Sequence, residues 1–239
     1  MKALRIKAFQ ETACYTKPFA NKVTETYPLP PYSTVKGLIH TVLNADKLIP
    51  FSLSIQGDYE SMMFDYRKTY FVKKKEFNMP IIMDGLATKI PEHASMTSMP
   101  LYTHMLYNVE LVFHIKAEET ILQNIYEAFL HRDAHLSLGR HEDLLRIDEV
   151  KEVGLEELDG YEDTNLKHSM YIPSSCIYEE ERKNGIPYLL NWRYNIKKGI
   201  REWEKIPTIY VPKNQLINDE FLLEPAYIDE EGFIVIWNE

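Results

Sequence analysis

Cysteine is nearly absent: Cys14 and Cys176 stand far apart in 239 residues, with none of the paired spacing that holds zinc. Two such residues fit a reduced, cytoplasmic setting and leave room for one disulfide at most. No apolar run is long enough to span a bilayer. The opening MKALRIKAFQ alternates basic and apolar residues and does not form the apolar core of a secretory leader, so no membrane contact is expected. A P-loop, a nucleophile elbow and the aromatic-rich stacking motif of the common RNA-recognition module are all missing. HRD at 131–133 has the letters of a kinase catalytic loop, but Leu138 stands where that loop needs asparagine. His131 and His135 are four apart, as metal ligands on a helix can be. With no glutamate between them and Gly139 soon after, they read as the end of a helix, where a histidine suits the dipole. No metal or cofactor is expected.

Charge is unevenly distributed. The formal net charge is −9, which at first sight disfavours a nucleic-acid partner. Residues 141–163 hold ten acidic and two basic side chains, and residues 219–239 hold seven acidic and no basic ones, which leaves the rest of the chain positive. An acidic average therefore hides a basic remainder.

Periodicity supplies the elements. Leu4, Ile6 and Ala8 alternate with Arg5 and Lys7, a half-buried strand. In YPLPPYSTVKGLIHTVLNA (27–45), Pro30 and Pro31 hold the backbone extended, and Ser33 is placed to cap a helix over 34–44. Val35, Leu38, Ile39, Val42 and Leu43 make one stripe, with Lys36, Gly37 and His40 opposite. A glycine there costs up to ~1 kcal/mol relative to alanine, a cost that lets another backbone approach. Free amides, a lysine and a bare Gly37 together suit a phosphate.

Residues 51–57 and 107–115 alternate as strands, and 118–132 carries a helical stripe of Ile121, Leu122, Ile125 and Phe129. A glycine turn in 136–153 leads into another strand. The stretch 60–100 reads as an inserted hairpin or flap. Leaving it aside, the order is βαββαβ, so the expected fold is α+β: a ferredoxin-like (RRM-like) domain over 1–160 with the flap at 60–100. A smaller β-rich part over 161–239 completes the chain.

Two further clusters mix cations and aromatics. Arg67 and Lys73, Lys74 and Lys75 lie among tyrosines in the flap. Arg193, Lys197 and Lys198 are interleaved with Trp192, Tyr194 and Trp203. Such patterns suit single-stranded nucleic acid, where bases stack and cations meet phosphates; a solvated face with its aromatics turned inward is the plainer alternative.

PPYSTVKGLIHTVL (30–43) and LSLGRHEDLLRI (136–147) together resemble the CRISPR-associated protein 5 family, the type I-B branch most nearly, and the similarity spans most of residues 1–153. The resemblance implies a non-catalytic subunit of the RNA-guided surveillance complex called Cascade. That subunit binds the 5′ handle of CRISPR RNA, caps the filament of backbone subunits, touches the large subunit, and meets target DNA indirectly. Under it, Ser33, Lys36 and Gly37 face Gly139, Arg140 and His141 across one RNA cradle, with Arg140 bound to phosphate or paired with Glu142 or Asp143. One branch of the family is similar to a metal-independent endoribonuclease. That alternative makes His40 the proton-transfer residue, with Lys36 a turn away and Tyr32 in support.

Overall fold

The computed structural model describes residues 1–19, 23–72, 96–132, 135–158 and 164–238. The alternating N-terminal segment is β1 (Lys2–Ala13), and the first amphipathic segment is α1 (Tyr32–Val42). Two long strands follow, β2 (Ser52–Val72) and β3 (Met96–Lys116), then α2 (Glu119–Leu130) and β4 (Leu144–Glu157). The remainder supplies β5 (Ser169–Pro173), β6 (Ile186–Lys197), β7 (Ile200–Val211), β8 (Tyr227–Asp229) and β9 (Ile234–Val235).

These nine strands hydrogen-bond in the order β6-β7-β5-β2-β3-β1-β4-β8-β9, each neighbouring pair antiparallel. This overturns the ferredoxin-like α+β expectation. The described residues are mostly β, 56% strand against 14% helix, and the sheet curls into an antiparallel half-barrel that carries two α-helices among those residues. The reason lies in pairings that local periodicity does not encode. Tyr171 of β5 pairs with Ile55 of β2, and Ile228 of β8 pairs with Glu156 of β4, so the later strands extend the first sheet at both edges.

The alternation at 51–57 also understates β2. Past Tyr59 the side chains of β2 are mostly exposed on both of its faces, so nothing enforces apolar–polar alternation there, yet its pairing with β3 runs from Ser52↔Lys116 to Val72↔Met96. Phe64 packs edge-on against His104 at 4.6 Å, and Tyr66 meets Tyr102 at 5.5 Å, so cross-strand aromatic pairs hold a ribbon that periodicity does not reveal.

One face of the sheet receives the helices. Leu4, Ile6 and Ala8, Leu53 and Ile55, and Leu111, Phe113 and Ile115 are buried in one core with Val35, Leu38, Ile39, Leu122, Ile125 and Phe129. The other face is covered as well. Arg5, expected on an open polar face, is fully buried: its guanidinium donates to Asp229 at 2.6 Å and to Glu149 at 2.9 Å. Asp229 also accepts the amides of Glu231 (3.0 Å) and Phe233 (2.8 Å) and lies 3.3 Å from His114 Nε2. An ionic clasp thus pins the C-terminal strands across the back of β1 and β3.

Candidate nucleic-acid interface

The helix that carries the first candidate residues starts earlier than expected. Pro31, at φ −58° and ψ 153°, is the residue before α1, and its carbonyl accepts the amides of Thr34 (2.9 Å) and Val35 (3.3 Å). Ser33 therefore lies inside the first turn, and no side chain caps the helix. Burial of Tyr32 explains the shift. Its ring continues the inward stripe of Val35 and Ile39, is fully buried, and its hydroxyl donates to the Tyr171 carbonyl at 3.3 Å.

Lys36 leaves the solvent face on which the periodicity puts it. Only 7% of the residue is exposed, and its Nζ sits 3.6 Å from the centroid of the Trp192 ring and 5.7 Å from that of Phe51. An ammonium over an indole face is attracted by the ring quadrupole, which compensates part of the lost hydration. Desolvation still pulls its pKa down to about 8, and the charge of Arg193 adds to the fall.

Trp192 reaches the helix from a hairpin. β6 and β7 are joined through Lys198 and Gly199, both at positive φ (52° and 75°), as a tight primed turn requires. The register skips between Asn191↔Lys205 and Arg193↔Glu204, so Trp192 is the extra residue of a β-bulge. Ser33, Lys36 and Gly37, the loop 45–48, Trp192 to Ile196, and Trp203 enclose a groove of about 560 Å³. A Cβ built on Gly37 would meet nothing within 4 Å, so this wall of the groove is bare. Arg193 reaches Glu204 at 3.1 Å, which holds the Glu204 carboxyl below its usual range, and Lys197 pairs with Glu202 on the same hairpin.

Gly139 and Arg140 have different surroundings. Gly139 takes φ +102°, and a Cβ there would meet the Cys14 carbonyl at 2.9 Å and the Asp143 carboxylate at 3.1 Å; the turn needs glycine. Fully buried Asp143 accepts the amides of Cys14 and Arg140, both at 2.9 Å, and the Arg140 guanidinium at 2.7 Å. Arg140 pairs with Glu142 too (3.0 Å), and Glu142 bridges to Arg67 (3.1 Å), itself 2.7 Å from Asp65. This chain of ion pairs fastens the 138–143 loop to β1 and to the ribbon. His141 projects fully into solvent.

The structure thus brings Lys36 and Gly37 together with Arg193, itself paired with Glu204, and holds Arg140 elsewhere, in the 138–143 loop, against Asp143 and Glu142. Lys198 is exposed at the hairpin turn. Lys73, Lys74 and Lys75 lie outside the described residues. Of the alternative set of His40, Lys36 and Tyr32, the first two line the same groove and the third does not. His40 Nδ1 donates to the Lys36 carbonyl at 2.8 Å while Nε2 accepts the Ile49 amide at 3.0 Å, so the ring is a neutral brace for the loop, and burial keeps its pKa low. Tyr32 points into the core. Among the described residues, no three His, Cys, Asp or Glu side chains gather into a metal-binding group, and no helix is long and apolar enough to cross a membrane.

Sequence reasoning treats the aromatics of 192–203 as a cluster apart and overlooks the loop 45–48 altogether. The signal for the first is the bulged run NWRYN opposite REWEK; for the loop there is none.

The family model described as CRISPR-associated protein (Cas_Cas5) matches residues 3–204. The chain belongs to the Cas5 family. Among solved structures, this Cas5 chain superposes on one described as "CRISPR RNA-guided surveillance complex" with TM-score 0.56 at 12% identity, over 90% of this chain and 91% of that chain. A CRISPR protein from Archaeoglobus fulgidus aligns over 98% of both chains at 12% identity, with TM-score 0.46. The first of these likenesses is one of fold. No curated protein matches the chain.

Proposed function

We propose that this Cas5 chain is a non-catalytic RNA-binding subunit of a type I CRISPR surveillance complex. It holds the 5′ handle of CRISPR RNA and caps one end of the filament of backbone subunits, beside the large subunit. Membership of the family supports a place in a CRISPR effector complex. The observation that carries RNA contact is Lys36, laid flat on Trp192 at a bare-walled groove that it shares with Arg193. A buried cation beside aromatic rings in an open groove is poorly used for stability alone, because its hydration is lost with no carboxylate among the described residues in direct contact. A phosphate supplies the missing counter-charge.

The test is filter binding of handle RNA across a salt series. Lys36→Glu with Arg193→Glu should weaken binding and flatten the plot of log affinity against log salt by about 0.7 for each phosphate that is no longer neutralised. A double variant with the parent's affinity and slope would remove the groove from the RNA path.

A further inference from the structure

Beyond binding phosphate, the groove has the construction of a slot for a single base. Tyr194 and Trp203 are direct cross-strand partners on β6 and β7, with ring centroids 5.1 Å apart at 65°. Unlike Trp192, which is used by Lys36, Tyr32 and Phe51, this pair has no core to fill: Tyr194 is 42% exposed, and both residues line the groove. Arg201 lies 4.6 Å from the centroid of the Tyr194 ring and steadies that ring from the hairpin side. The bulge at Trp192 shifts the register ahead of the Tyr194–Trp203 pair, so one indole seats Lys36 while the other stays open.

We propose that this groove captures one unstacked nucleotide of the bound RNA. Its base stacks on the Trp203 ring, against which Tyr194 stands edge-on, while its phosphate lies between Lys36 and Arg193. The chemistry that selects this occupant is the combination itself: an aromatic ring face for any base, two cations lining the same groove, and a wall at Gly37 with no side chain. A purely electrostatic track would need the cations and not the rings. A protein segment would need apolar burial that Lys36, Asp46, Lys47 and Arg193 in the lining oppose. The inference rests on the reading that the chain holds RNA, and it adds that the hold depends on a base.

The experiment uses the full chain, tryptophan fluorescence, and two synthetic probes of equal charge: an octa-adenylate, and the same strand with abasic sites. Base capture predicts that octa-adenylate quenches the emission and binds about tenfold more tightly than the abasic strand. Trp203→Ala should erase most of that difference while leaving the salt slope intact, and Tyr194→Ala should weaken octa-adenylate in the same sense. Both positions are on the hairpin surface, and an unchanged melting temperature would show that the fold is kept. Equal affinity for both probes, with Lys36→Glu still weakening each, would overturn base capture and leave RNA holding standing. No RNA binding by the parent at low salt would overturn both. Quenching that appears only when neighbouring subunits are added, and not with RNA, would make the hairpin a protein-docking face and end the proposal.

Discussion

Lys36 makes the RNA affinity of this protein depend on pH in a window where few groups titrate. Burial holds its pKa at about 8 in the folded chain, against 10.5 for a free lysine, so the free groove favours the neutral amine as pH rises. A phosphate at the site restores the counter-charge and returns the amine towards its ordinary value. Binding above pH 8 therefore takes up a proton, and affinity must fall as pH rises between the two values. At pH 7 about nine-tenths of free Lys36 is charged, and at pH 9 about one-tenth, so affinity should drop about tenfold over that interval. The neighbours do not confuse the reading: burial holds His40 below its usual range, and Arg193 and Glu204 stay ionised as a pair. The assay is anisotropy with labelled oligoadenylate, whose base does not titrate there. Lys36→Arg, charged throughout, should bind with a flat profile, and Lys36→Gln should bind weakly with a flat one. A parent profile flat from pH 7 to 9, or a slope that persists in Lys36→Arg, would refute the argument.

Three stability predictions follow from the same geometry. Asp143→Ala removes the buried carboxylate of Arg140, leaving it only the half-exposed Glu142, and strips two amides of their acceptor, so urea unfolding should report a loss of about 3–5 kcal/mol. Arg5→Ala leaves buried Asp229 without its guanidinium and should cost a similar ~3–5 kcal/mol. Burial pushes the Asp229 carboxyl up, but hydrogen bonds involving His114, the Phe233 amide and Arg5 outweigh it and hold the group below its ordinary range. That contribution is present above about pH 4 and lost in acid, so the melting temperature of the parent should fall more steeply below pH 4 than that of Arg5→Ala. The helix glycine Gly37 and the turn glycine Gly139 should respond oppositely to alanine. Gly37→Ala, with open space at its Cβ, should stabilise α1 by up to ~1 kcal/mol, while Gly139→Ala should destabilise the chain through its φ of +102° and its clash with the Cys14 carbonyl.

How far the sequence could be read depended on where each constraint lay. The inward faces of β1, α1 and α2 were legible because 2-fold and 3.6-fold alternation follow directly from burial on one side. His131 as the residue closing α2 was legible for a similar reason, since the helix stops there. The long ribbon was only partly legible, because a strand open on both faces has no reason to alternate. Arg5 and Lys36 were misplaced for one shared reason: periodicity assigns a residue to a face but does not say what covers that face. The C-terminal clasp covers one residue and the β6–β7 hairpin covers the other.

By itself the sequence determined the family, through 30–43 and 136–147, and most of the local elements, because these follow from neighbouring residues. Tertiary structure alone decided that the strands after residue 160 join the first sheet at both edges, and that Arg140 answers to Asp143 and Glu142. It also decided that Lys36 meets Trp192, some 150 residues away. Pairings of that kind depend on which distant surfaces complement each other, and no local pattern of side chains records the choice.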